Sequence, residues 1–276
     1  MILFPNCKIN LGLNILHKRT DGYHALETVF YPLPLSDALE VVTMSRQESS
    51  PHLPFTMSGL DIEGNPGSNL CLKAYRLLKN DHPTLPWVRM HLHKVIPSGA
   101  GLGGGSADAA FTLLLLNKKF NLGLSQQKLI EYALILGSDC PFFVLNKPCF
   151  AQGRGEQLEP LDLDLSGFRV IIINPGIHIN TSNAFMRIQP GHSGNSLRET
   201  IQHPVSQWKE IITNDFEKVI FQQYPILSQI KTNLYEAGAV YASMSGSGST
   251  IFGLFKEQTV IDIKKEPFWF YRELDL

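Results

Sequence analysis

The sequence predicts an α+β chain of two domains, and three observations carry that class. Stretches of period-two alternation interleave with helical patterns along the whole length. A glycine-dense loop over residues 97–107 joins one such strand to one such helix. The 276 residues, 43% hydrophobic and 18% charged, suit one large or two small folded domains with ample length to bury a core. Pro148, Gly153 and Gly155 cluster between the halves. That cluster places an N-terminal domain over 1–153 and a C-terminal domain over 154–276.

Residues 8–16 alternate cleanly. Ile9, Leu11, Leu13 and Ile15 fall on one face and Lys8, Asn10, Gly12 and Asn14 on the other, as in a strand with one buried face. Asp21-Gly22 is a turn signal, and residues 25–31 form the partner strand. Ser68 caps a helix that turns Leu70, Ala74, Leu77 and Leu78 inward and ends near residues 80–83. Residues 88–93 alternate again as a half-buried strand. Beyond the glycine loop, residues 107–117 contain no glycine or proline and predict a helix, and Asn121-Leu122-Gly123-Leu124 leads into a second over 125–136. Gly137 then turns the chain through Ser138-Asp139-Cys140-Pro141, where Pro141 suits a first helical turn. Residues 169–173 predict a buried strand closed by Pro175-Gly176. A short helix beginning at Thr181 or Ser182 and a loop over 188–196 follow. Further helices fall over 205–212 and 225–237, the latter stopped by Gly238. Strands over 239–244 and 250–255 flank the loop Ser245-Gly246-Ser247-Gly248-Ser249.

The loop Pro97-Ser98-Gly99-Ala100-Gly101-Leu102-Gly103-Gly104-Gly105-Ser106-Ala107 carries the chemistry, with five glycines in seven positions. A glycine loop that opens a helix presents unpaired N–H groups and the positive end of the helix dipole. Without side chains in the way, a phosphate can approach the backbone closely. A flexible linker is the plain alternative, but linkers separate domains and carry Ser or Pro repeats. Two familiar phosphate-loop templates fail. Gly99, Gly101 and Gly104 match G-x-G-x-x-G, yet no strand ending in Asp or Glu follows about twenty residues on. Against G-x-x-x-x-G-K-[ST], counted from Gly99, Gly105 stands where the lysine belongs. Positive charge must therefore come from elsewhere, and a third kind of loop is required.

A net charge of −1 implies no broad basic surface for nucleic acid. Cys7, Cys71, Cys140 and Cys149 show no C-x-x-C spacing, as expected of reduced thiols in a cytoplasmic protein. Met1-Ile2-Leu3-Phe4 is too short for a signal peptide's apolar core, and the apolar runs at 113–116 and 170–173 fall far below membrane-spanning length. His91 and His93 share a strand face without a third ligand, so no metal site is assigned. The absence of a G-x-S-x-G elbow argues against a serine hydrolase.

Five blocks in one order resemble a known family. Cys7-Lys8-Ile9-Asn10-Leu11, the glycine loop, and Met244-Ser245-Gly246-Ser247-Gly248-Ser249 resemble the GHMP superfamily of small-molecule kinases. Arg19-Thr20-Asp21-Gly22-Tyr23-His24, followed by Glu27 and Thr28, and Gly137-Ser138-Asp139-Cys140-Pro141-Phe142-Phe143 resemble one branch of it, whose substrate is a cytidine-diphosphate-linked methylerythritol. Weaker agreement runs through Ala151-Gln152-Gly153-Arg154-Gly155-Glu156 and Asn214-Asp215-Phe216-Glu217. Ser138 and Cys140 depart from the branch's usual alanine and aliphatic residue, and the tail from Lys256 onward has no match.

The resemblance implies a two-domain GHMP-kinase fold, with an N-terminal ATP-binding α/β domain and a C-terminal ferredoxin-like α/β domain. It implies transfer of the γ-phosphoryl of ATP to the 2-hydroxyl of the methylerythritol portion, a step of non-mevalonate isoprenoid precursor synthesis. By the same resemblance Asp139 is the general base, and Lys8 is its partner near the transferred group. Lys8 then supplies the charge that Gly105 lacks. The glycine loop holds the ATP phosphates, and Asn69 and Lys94 lie near the adenosine. Tyr23 and Phe185 sandwich the cytosine and His24 hydrogen-bonds it. Asn10 reaches the same site as Lys8, and Thr181 lines the substrate pocket. Magnesium accompanies ATP, held largely by phosphates and water with help from Ser106. The expected partner is this small molecule, with neither nucleic acid nor membrane, in a cytoplasmic monomer or weak homodimer.

The residues alone leave plainer readings open. Lys8 is then a solvent-facing lysine, Asp139 a helix cap, Tyr23 a hairpin aromatic, Phe185 a helix core residue and Asn69 a first-turn residue. A sibling kinase acting on mevalonate, homoserine or a sugar needs the same loop but not Tyr23, His24 and Phe185 around a cytosine. A catalytically silent nucleotide-binding module needs neither Lys8 nor Asp139.

Overall fold

The structure, a computed structural model, describes residues 1–45, 53–61, 66–191 and 194–276. The first elements are β1 (Ile2–Leu3), β2 (Asn6–Lys18), β3 (His24–Ser36), β4 (Ala38–Thr43), β5 (Phe55–Gly59), α1 (Leu70–Asp81) and β6 (Val88–Lys94). After the glycine loop come α2 (Gly104–Phe120), α3 (Gln126–Leu136), α4 (Cys140–Leu145), β7 (Cys149–Gln152), β8 (Gln157–Pro160) and β9 (Phe168–Asn174). The remainder is α5 (Thr181–Arg187), α6 (Leu197–Thr200), α7 (Trp208–Ile211), α8 (Glu217–Gln223), α9 (Pro225–Glu236), β10 (Tyr241–Met244), β11 (Ile251–Lys256) and β12 (Phe270–Asp275). Among the described residues, no helix is long and apolar enough to cross a membrane.

The chain forms two compact units whose segments alternate along the sequence. Met1–Cys7, Leu35–Ser98 and Gly103–Asn146 make the first, and Lys8–Pro34, Gly99–Leu102 and Lys147–Leu276 the second.

The first unit is built on a sheet of order β1-β4-β6-β5, in which β4 runs antiparallel to β6 and β5 parallel to it. β6 follows its alternation: Val88, Met90, Leu92 and Lys94 are buried, and Arg89 and His93 are exposed. Asn69, not Ser68, caps α1, its side chain accepting from the Cys71 amide at 2.9 Å. Both are capping residue types, and the register of the buried stripe Cys71, Ala74, Tyr75 and Leu78 selects the second. α2 is buried along most of its length, with Ala107, Ala109 and Ala110 admitting close neighbours and Leu113, Leu115 and Leu116 filling the core. Pro141 stands in the first turn of α4, as its fixed φ favours.

The second unit holds two sheets, β2-β3-β7-β8 and β10-β11-β9-β12. In the latter every neighbouring pair is antiparallel. Taken in chain order as strands one to four, they lie 4-1-3-2, the ferredoxin-like arrangement. Its second crossover, residues 257–269, contains no helix. The tail from Lys256 onward thus supplies the edge strand completing the sheet. Ile171 and Ile173 of β9, Met244 of β10 and Ile251 and Phe255 of β11 share a buried cluster with Leu227, Ile230 and Leu234 of α9. Each such aliphatic side chain, fully buried, contributes about 1.5–3 kcal/mol.

One expectation fails in β2. Its polar face is not solvated: Lys8, Asn10 and Asn14 are no more than 3% exposed. The Lys8 ammonium, the Asn10 side-chain amide and Asn14 Nδ2 are paired instead with groups of the same unit, and alternation alone does not distinguish those two states.

Candidate active site

The glycine loop begins where β6 ends at Lys94. φ is positive at Gly99, Gly101 and Gly103 (63°, 79° and 71°) and negative at the residues between, an alternation that turns neighbouring N–H groups toward one concavity. Gly101 has a second reason to be glycine, since a Cβ there would stand 2.0 Å from the Ser245 carbonyl oxygen. Gly103 caps α2 with no side-chain hydrogen bond, and a Cβ on Gly105 would meet nothing within 4 Å. The first-turn amides of a 17-residue helix therefore have no side-chain cap, and the approach at Gly105 is open. These residues fit a phosphate chain.

Lys8 and Asn10 form a second feature. The Lys8 ammonium donates to Asn10 Oδ1 at 2.6 Å and to the Gly101 carbonyl at 3.1 Å, and lies 4.9 Å from the centre of the Phe30 ring. Asn10 Nδ2 donates to Thr28 Oγ1 (2.9 Å), whose hydroxyl passes to the Gly12 carbonyl (2.6 Å). Ser245 Oγ donates to the Gly101 carbonyl at 2.8 Å and accepts from the Asn10 amide at 3.2 Å. The β2 block, the middle of the glycine loop and the serine-glycine loop thus meet in one unit. Here an ammonium is fastened to the Gly101 carbonyl.

Asn214 shows what its sequence block does. Its Nδ2 donates to the Met244 and Gly246 carbonyls at 2.7 and 2.8 Å, and so pins the serine-glycine loop. Asp215 accepts from the Ile15 amide at 2.8 Å, and Glu217 from the Met244 amide at 2.8 Å. Thr28, Asn214 and Ser245 stand in blocks that carry the resemblance, but only the fold shows them bracing the loops around Lys8.

In the first unit Asp139 occupies the residue before α4, half-buried, with αR geometry and no side-chain cap bond. The plain capping reading therefore does not describe it. Its neighbour Cys140 is hydrogen-bonded to Ser106 in the first turn of α2. That contact brings the start of α4 to the start of α2. Burial pushes the Cys140 thiol up to about 12, with the Asp139 charge adding to the effect, so this cysteine is inert.

Lys94, expected near an adenosine, is 2% exposed, and its ammonium pairs with Asp37 and with Asp108 at 2.7 Å. Asn69 spends its oxygen on the α1 cap and turns its Nδ2 toward Met57 Sδ at 3.7 Å.

The aromatic residues gather in the second unit. His24 stacks on Phe185 with ring centres 5.1 Å apart and 11° between planes, and Phe185 meets Phe216 edge-on at 4.9 Å. Tyr23 is 56% exposed and carries the Arg154 guanidinium 4.9 Å from its ring centre. His24, not Tyr23, is thus the ring now lying on Phe185. Burial, with Lys18 nearby, holds the His24 imidazole below its ordinary pKa, so it is neutral at pH 7. Thr181 does not cap α5, a task taken by Asn180; its hydroxyl meets Ser247 Oγ at 2.8 Å.

Comparison with known proteins follows the same lines. Residues 69–147 match the GHMP kinases N terminal domain and 196–266 the GHMP kinases C terminal family. A 4-diphosphocytidyl-2-C-methyl-D-erythritol kinase of Bacteroides fragilis (strain YCH46) is 55% identical over 261 residues, spanning 95% of this chain and 94% of its own. A crystal structure of 4-(cytidine 5'-diphospho)-2C-methyl-D-erythritol kinase superposes with a TM-score of 0.79 at 32% identity, covering 92% of this chain and 90% of that one. Methanococcus jannaschii mevalonate kinase shares the fold alone, with a TM-score of 0.68 at 13% identity over 100% of this chain and 98% of its own.

Proposed function

The chain belongs to the 4-diphosphocytidyl-2-C-methyl-D-erythritol kinase family of GHMP kinases, and on that premise we propose that it moves the γ-phosphoryl of ATP onto the 2-hydroxyl of 4-diphosphocytidyl-2-C-methyl-D-erythritol. The observation that carries the acceptor is the stack of His24 on Phe185, with the exposed Tyr23 ring next to His24 in the same unit. A flat base has use for such faces and for a neutral imidazole with one donor and one acceptor nitrogen.

Phosphoryl transfer depends chiefly on positioning and charge stabilisation. The glycine-loop amides and the N-terminus of α2 hold the donor phosphates. Lys8, kept in place by Asn10 and the Gly101 carbonyl, stabilises charge on the transferring group. Asp139 takes the acceptor's hydroxyl proton. A carboxylate is a weak base for an alcohol, but in a loose transition state the proton leaves late. A contribution of roughly 10²- to 10⁴-fold follows. Magnesium bound with ATP would neutralise charge on the phosphate oxygens. The donor phosphates, water and Ser106 would supply its ligands.

Substitution of the proposed base tests the reading. Asp139→Asn is expected to lower kcat by roughly 10²-fold or more while leaving ATP affinity within about twofold. Near-wild-type turnover in the variant contradicts the base assignment, and wild-type protein that binds ATP but phosphorylates no acceptor contradicts the kinase reading.

A further inference from the structure

The first unit contains a buried ion triad to which phosphoryl transfer, as described above, gives no task. Asp37 is fully buried, and Lys94 and Asp108 are 2% and 3% exposed. Replacing a buried ion pair with well-packed apolar side chains is commonly neutral or stabilising, so stability alone is a weak reason for three charges here. Their placement suggests another reason. Asp37 Oδ1 accepts from the Val95 amide at 2.5 Å and the Ile96 amide at 2.9 Å, the two residues between β6 and the glycine loop. Its Oδ2 accepts from the Lys94 ammonium, which also donates to Asp108 Oδ2 at 2.7 Å. Asp108 lies in the second turn of α2, and the Lys94 ammonium is 3.4 Å from where a Cβ on Gly104 would sit. Asp37 is itself fixed, its amide donating to the Pro5 carbonyl at 2.8 Å.

One carboxylate therefore grips both ends of the phosphate loop: directly the strand side, and through Lys94 and Asp108 the helix side. We propose that Asp37 is a positioning residue for ATP, holding β6 and α2 at the separation that lets the glycine-loop amides face the phosphates. The inference rests on the loop's reading as the ATP site. Asp37 touches no substrate. Its influence falls on the nucleotide and not on the cytidine compound.

The test is the Michaelis constant for each substrate in Asp37→Ala and Asp37→Asn, with amide hydrogen exchange over residues 95–106. Asp37→Ala is expected to raise KM for ATP by roughly 10-fold or more, leave KM for the acceptor within about twofold, and speed exchange in that segment. Asp37→Asn keeps an oxygen for the two amides and is expected to recover part of the loss. If Asp37→Ala does not fold, the proposal stands or falls on Asp37→Asn, for which a rise of about threefold in KM for ATP alone is expected. Equal rises in both Michaelis constants, or a fall in Tm with neither moved, overturn the proposal. Wild-type protein that binds no ATP overturns the loop's reading and this inference together; normal ATP binding by both variants overturns only the inference.

Discussion

Lys8 and Phe185 show how differently single residues yield to physical reading. Alternation places Lys8 opposite Ile9, but a period of two does not say whether the polar face meets water or partners. A buried ammonium is costly unless paired, and Lys8 pays for its burial with Asn10, the Gly101 carbonyl and the Phe30 ring. No local pattern announces partners 93 residues away. For Phe185 the sequence offers a helical aromatic whose role came from resemblance, and the structure gives it His24 on one side and Phe216 edge-on. Removing a stacking face costs about 1–3 kcal/mol, so Phe185→Ala should raise KM for the cytidine compound by roughly 5- to 150-fold. KM for ATP should stay within about twofold. An unchanged acceptor KM would count against the stacking site.

The glycine loop was the most legible element, because a strand, five glycines and a helix in succession constrain one another. What the sequence could not show was which glycine each constraint falls on. Gly101 combines a φ of 79° with a Cβ position 2.0 Å from a carbonyl oxygen, whereas Gly105 faces open space. Left-handed geometry costs an alanine roughly 1–2 kcal/mol, and the overlap adds to it. Gly101→Ala should therefore lower Tm by about 5 °C or more, while Gly105→Ala leaves Tm unchanged. Equal Tm values for the two variants would contradict this division of labour. Other elements left little local trace. β1, β7 and β8 span only two to four residues each. β12 is an edge strand whose charged Arg272, Glu273 and Asp275 hide any apolar stripe.

At the scale of the whole chain, the sequence supported an α+β fold, and the order of the β9–β12 sheet completes the ferredoxin-like expectation. The alternation of segments between units was not visible, because the pairing of β3 with β7 joins residues more than a hundred positions apart. Stability should carry the mark of the buried triad. Burial raises the Asp108 carboxyl well above its ordinary value near 4, and Asp37 reinforces the shift against the opposing pull of Lys94. Between those two values the folded state binds more protons than the unfolded one, so this group's contribution weakens as pH rises through the window. Urea unfolding between pH 4.5 and 6.5 should show Asp108→Asn gaining on wild type as pH rises. A difference independent of pH would contradict the shift. The central claim concerns the acceptor, and competition tests it most directly. Purified protein receives ATP and an equimolar mixture of 4-diphosphocytidyl-2-C-methyl-D-erythritol, mevalonate and homoserine, and the products are read by mass spectrometry. The account predicts a phosphate on the cytidine compound alone; phosphomevalonate or phosphohomoserine in its place would contradict it.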